Sequence, residues 1–182
     1  MVAELGGQHA AIPAPLDAPV LQAEATTGLS PPELFSTLAR IIRGAQHVRH
    51  FSADEVATQL GRPLRSNAEG PVHFGTELAL ADGSKFMVLG VGALSPQANR
   101  LDLEFEPARG QCPLSVAALQ PVLADAGATP AKWLGPIRFG SPARWRSRAD
   151  SLLITAIVDG NYGAADTDAC IQRISLHMLG EH

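Results

Sequence analysis

The chain is poor in lysine. Lys85 and Lys132 stand beside twelve arginines, and eighteen acidic residues leave the 182-residue sequence with a net charge of −4. That balance argues against a general nucleic-acid binder, which needs strong positive potential along its phosphate-tracking surface. Long hydrophobic runs are also missing. None approaches the roughly 18 apolar residues that span a bilayer as a helix. The first residues carry no basic segment followed by an apolar one, the pattern of an export signal. As written, the chain is expected in the cytoplasm; it is expected in the periplasm if an export signal has been trimmed from it. Cysteine is scarce, with only Cys112 and Cys170. Their spacing matches no zinc or thiol-redox motif. Two readings stay open: a pair of buried thiols, or one disulfide tying the middle of the chain to its last strand, which would imply export.

Catalytic signatures are absent. There is no G-x-S-x-G elbow, no G-x-x-x-x-G-K-[ST] loop, and the short G-x-G of "LGVGAL" lies within a strand pattern. His47 and His50 are three apart, but no carboxylate or cysteine stands near them at metal spacing. Asp159, Asp166 and Asp168 in "DGNYGAADTDAC" lack the calcium-loop spacing and its closing glutamate. No cofactor, metal or catalytic residue is assigned, and the chain is not expected to be an enzyme.

What remains is a core-forming composition. Apolar residues make up 46% and charged residues 18%, enough for a globular domain and too apolar for general disorder. Residues 1–29 read as a flexible Ala/Pro-rich leader, and residues 30–182 as one α+β domain with sub-units at 52–107 and 113–179. In "SPPELFSTLARIIRG", Ser30 and Glu33 form a capping box and Pro31 fits the first helical position, predicting a helix from about Pro31 to Arg43 that stops at Gly44. "SADEVATQLGRP" repeats the device with Ser52 and Glu55, and Gly61 is placed at the C-terminal cap. Strands follow. "VHFGTELAL" alternates, Asp82-Gly83 marks a hairpin turn, and "KFMVLGVGAL" leaves a bare face at Gly90 and Gly92 where something can pack closely. "RLDLEFEP" turns Leu101, Leu103 and Phe105 inward, with Arg100, Asp102, Glu104 and Glu106 outward. The pattern then restarts. "LSVAALQPVLADAG" is a helix capped by Ser115 that Pro121 must kink or restart, and further strands end in "CIQRISLHML". The expected architecture is an antiparallel sheet of about six strands with two or three helices on one face, in the pattern α-(αβββ)-(αβββ).

"PARWRSRAD" sets Arg144, Arg146 and Arg148 on one strand face and Trp145 on the other. Arg138 and Trp133 lie just upstream. One reading pairs these arginines with Asp102, Glu104 and Glu106 across a solvated sheet face. The other makes Trp133, Arg138, Arg144, Arg146 and Arg148 a recognition patch, because interfaces favour Arg and Trp.

The capped helix of "SADEVATQLGRPL", followed by a hairpin and a third strand, resembles the helix-then-sheet units of small bacterial inhibitor proteins. The β-lactamase-inhibitor-like fold doubles such a unit, and the likeness covers residues 30–180 as a pattern. It implies an antiparallel sheet whose open face grips a protein, as in inhibitors and toxin-neutralising immunity proteins. No binding residue carries over from it. The leading expectation is a non-enzymatic protein-binding module that neutralises a bacterial effector or toxin with an acidic surface, as monomer or homodimer. The alternatives are a type III-like secretion chaperone, and a small-ligand binder or enzyme using His73 with the carboxylates of "LDLEFE".

Overall fold

The computed structural model describes residues 28–67, 70–92, 98–131, 143–147, 151–158 and 168–179. The fold is α+β. Three helices, α1 (Pro31–Ala45), α2 (Ala53–Leu60) and α3 (Val116–Asp125), accompany eight strands: β1 (Arg65–Ser66), β2 (Val72–Ala79), β3 (Lys85–Val91), β4 (Arg100–Glu106), β5 (Ala128–Pro130), β6 (Ala143–Ser147), β7 (Leu152–Val158) and β8 (Ile171–Met178). The strands form one antiparallel sheet in the order β1-β2-β3-β4-β8-β7-β6-β5.

Among the described residues the expected six strands are thus corrected to eight, and the repeating unit from αβββ to αββββ. Each half is one helix followed by a four-strand meander. The halves meet edge to edge where β4 pairs with β8. β1 and β5 are the outer edges, two and three residues long. Such short edges give little template for edge-to-edge association.

Local chemistry sets the element boundaries. Ser30 N–H donates to Glu33 Oε2 at 2.8 Å at the start of α1. At α2, Glu55 N–H donates to Ser52 Oγ at 3.3 Å, and Gly61 closes the helix at φ 68°. Gly44 does not stop α1, which runs on to Ala45. Its bare Cα lies against the Gln59 side chain, where a methyl group would collide. α3 continues through Pro121. His47 and His50 follow α1 in a turn and share no helical face. Leu29, read as part of the leader, pairs with the β2 end: its N–H donates to the Ala79 carbonyl, and its carbonyl accepts from Ala81 N–H. The β2–β3 turn closes on a Gly83 N–H bond to the Leu80 carbonyl, with Gly83 at φ 85°.

Register assigns each strand residue a face. Phe74, Gly90, Leu101, Leu176, Ile154 and Trp145 follow one another across six strands and are all buried. Leu34, Leu38 and Ile41 of α1, Val56 of α2 and Leu119 of α3 join them in one core. The helices therefore cover one face of the sheet. Trp145 points into this core, as its alternation with the arginines predicts.

The Phe74 ring lies directly over Gly90, in the space a Cβ would take. This is the close packing that the bare glycine face in β3 predicts. We expect Gly90→Ala to lower the unfolding free energy by about 1–3 kcal/mol, the usual cost of overpacking a core. Chemical denaturation checks it, and a change under about 0.5 kcal/mol, within surface-substitution range, would show that the ring relocates freely.

Candidate functional site

The other sheet face carries no helix among the described residues. Its centre is the β4–β8 seam. Arg100, Asp102 and Glu104 of β4 stand opposite His177, Ser175 and Arg173 of β8. β7 and β6 extend the same rows: Thr155 and Arg144 continue from Ser175, while Leu153 and Arg146 continue from His177. On the other flank lie Met87, Leu89 and Val91 of β3.

Asp102 is only 3% exposed although it sits on the face opposite the helices. A buried carboxylate must be paired and hydrogen-bonded to remain charged at acceptable cost. Arg100 Nε donates to its Oδ2 at 3.0 Å, and Ser175 Oγ donates to its Oδ1 at 2.6 Å. Ser175 is itself 5% exposed. This is a satisfied polar knot joining the two halves of the sheet. Glu104 pairs with Arg173 at 3.7 Å, and Lys85 lies 3.6 Å from Glu77 and 3.9 Å from Glu106.

His177 reports the local field. Burial holds its pKa below the ordinary histidine value, and the positive charge of Arg100 adds to the effect. Asp102 opposes it, and Arg144 and Arg173 lower it further. Burial is thus the first cause of the shift, and three arginines and one carboxylate share the rest. Two hollows mark the surface. One of about 510 Å³ is lined by Arg65, Thr76, Glu77, Met87 and Leu89, and one of about 310 Å³ by Met87, Glu104, Phe105, Ile157, Gln172 and Arg173.

The predicted patch is only partly in view. Arg144 and Arg146 lie on β6, on the uncovered face, with Arg146 exposed and Arg144 half-buried. Trp133, Arg138 and Arg148 lie outside the described residues, as do Asp159 and Asp166. Arg144 shares a cross-strand row with Asp102 but lies three strands away from it, with β8 and β7 between, so the two are not direct cross-strand partners. The ion pairs seen for the three carboxylates run to Arg100, Arg173 and Lys85. His73 on β2 and the "LDLEFE" carboxylates on β4 lie on either side of β3. His73 is buried at the β2 bulge with neither ring nitrogen hydrogen-bonded. Among the described residues no cluster of metal-ligating side chains occurs, and no helix is long and apolar enough to cross a membrane.

Arg100, Arg173, Ser175 and His177 were not singled out from the sequence as site residues. Alternation places all four on the polar side of their strands. Only the β4–β8 pairing brings them together.

Cys112 and Cys170 form a disulfide across 58 positions of sequence. It fastens the loop before α3 to the entry of β8, beside backbone bonds from Val116 N–H to the Ala169 carbonyl and from Ile171 N–H to the Leu114 carbonyl. The reading as two free thiols is set aside.

Comparison of the chain with protein-family models, curated proteins and solved structures yields no match.

Proposed function

We propose that the chain is a non-enzymatic protein-binding module, an inhibitor or immunity protein that neutralises a bacterial effector or toxin by covering an acidic surface of it. One observation carries this reading. Among the described residues, the face opposite the helices carries Arg65, Lys85, Arg100, Arg144, Arg146 and Arg173 against Glu77, Asp102, Glu104 and Glu106, an excess of two positive charges in a chain whose net charge is −4. A sheet face with arginine forks and apolar flanks suits protein recognition. The disulfide supports an oxidising compartment, and hence the periplasm. It weighs against a cytoplasmic secretion chaperone.

The test is a complex. The chain, used as bait on lysate and envelope fractions of its source, is expected to capture one protein in equal stoichiometry, whose activity it blocks. Charge reversal by R144E/R146E is expected to slow association about tenfold or more at low ionic strength, because electrostatic steering acts on the encounter. Association rates from surface plasmon resonance decide. An unchanged rate would move the interface off this face.

A further inference from the structure

The acidic-partner reading above leaves open where the partner's charge sits. One line across the uncovered face answers it. Arg100, His177, Leu153 and Arg146 are successive register partners on β4, β8, β7 and β6. Adjacent strands lie about 4.8 Å apart, so the line is about 14 Å long. An extended peptide advances about 3.3 Å per residue, and its alternate side chains recur about 7 Å apart. Five residues therefore span the line, with alternate carboxylates near its two guanidinium ends and one between His177 and Leu153, about 2 Å along the line from the imidazole. Leu153, half-buried between His177 and Arg146, gives the segment an apolar footing.

We infer that an acidic segment of the partner lies across β4, β8, β7 and β6 along Arg100, His177 and Arg146, and that seating it transfers a proton onto His177. The inference rests on the acidic-partner reading. The charged groups facing His177 are Arg100 and Asp102 from β4, Arg173 from its own strand, and Arg144 from β6, with Arg146 across Leu153. Burial first, and then Arg100, Arg144 and Arg173 against the pull of Asp102, hold the pKa of the free imidazole below the ordinary histidine value. Carboxylates brought alongside reverse the local balance and favour the imidazolium. Because the bound state then holds more protons than the free one, affinity must rise as pH falls from neutral through the ordinary histidine range, and level off below the pKa of the free protein. An acidifying compartment would tighten the complex.

The experiment uses the full chain and a fluorescein-labelled ten-residue polyaspartate peptide at low ionic strength. Aspartate stays ionised across the range, its ordinary pKa being about 3.9. Anisotropy titrations between pH 8 and pH 5.5 are compared for wild type and H177Q, with circular dichroism confirming that the variant folds. We expect wild-type binding to tighten severalfold as pH falls, and H177Q to match it at pH 8 but hold a flat profile. In parallel, the His177 ring protons should titrate at higher pH when the peptide is present. Binding by both chains with the same pH profile would overturn the proton linkage and leave the acidic-partner reading standing. No peptide binding at any pH would overturn both.

Discussion

Urea unfolding of C112S/C170S is expected to show a loss of about 2–4 kcal/mol against the oxidised wild type. The chain-entropy expression for a crosslink closing 58 residues gives about 4 kcal/mol, towards the upper end of what single disulfides contribute. The backbone bonds beside the crosslink, Val116 N–H to the Ala169 carbonyl and Ile171 N–H to the Leu114 carbonyl, belong to the native contact and do not depend on sulfur. The double variant should therefore fold to the same sheet and unfold earlier. For a chain of this size the loss corresponds to a fall in Tm of about 10 °C. Reducing the wild type should give the same shift, and C112S alone should match the double variant. A loss below about 1 kcal/mol, or a changed far-ultraviolet spectrum, would mean that the crosslink acts in another way.

The second large effect belongs to Asp102. D102A removes the acceptor of both Arg100 Nε and Ser175 Oγ and leaves a buried hydroxyl facing a guanidinium. Breaking a buried ion pair at one partner costs about 3–5 kcal/mol. The lower end, about 3 kcal/mol, applies here, because the Arg100 side chain is 38% exposed and recovers some hydration. D102N keeps an acceptor for Ser175 and should cost less than D102A. S175A removes one hydrogen bond to a charged group and is expected to lose about 1.5–3 kcal/mol. If D102A changes stability by under about 0.5 kcal/mol, in the range of ordinary surface substitutions, the seam between the two halves is held by its backbone ladder and apolar packing, not by the polar knot.

The elements that the sequence predicts well are those with local causes. The capping box forms at α1 where Ser30 with Glu33 predicts it, and at α2 Ser52 caps the Glu55 N–H while its hydroxyl donates to the Glu55 carboxylate. The inward set Leu101, Leu103 and Phe105 is buried, and Ile174 and Leu176 face the core as the alternation of β8 predicts. β1 and β5 escape notice for a physical reason. Two residues at Arg65–Ser66 and three at Ala128–Pro130 are too short for a period of two to show. The α1 boundary fails at Gly44, since a glycine that would end a helix by local conformation serves here as a contact point for Gln59. The bulge at His73 shifts β2 out of simple alternation, so Val72 no longer shares the face of Phe74.

The candidate site is less legible than the fold. Arg144 and Arg146 are placed on the uncovered face, but its centre, Asp102 with Ser175 and Arg100 with His177, comes from residues about 75 positions apart in sequence. No local pattern encodes that pairing. Burial of Asp102 is likewise invisible to alternation, which predicts only that it points away from the core. The two-fold arrangement of αββββ halves creates the seam, and the seam creates the polar knot.

The central claim is that the arginine-bearing sheet face is the contact surface for an acidic protein. Arginine-specific labelling with phenylglyoxal, read by mass spectrometry on the free chain and on its complex with the captured partner, tests it most directly. Arg100, Arg144, Arg146 and Arg173 should lose reactivity in the complex, while Arg40, Arg43 and Arg62 on the helix side keep theirs. Protection of Arg40, Arg43 and Arg62 with continued labelling of Arg144 and Arg146 would contradict the account and place the interface on the helices.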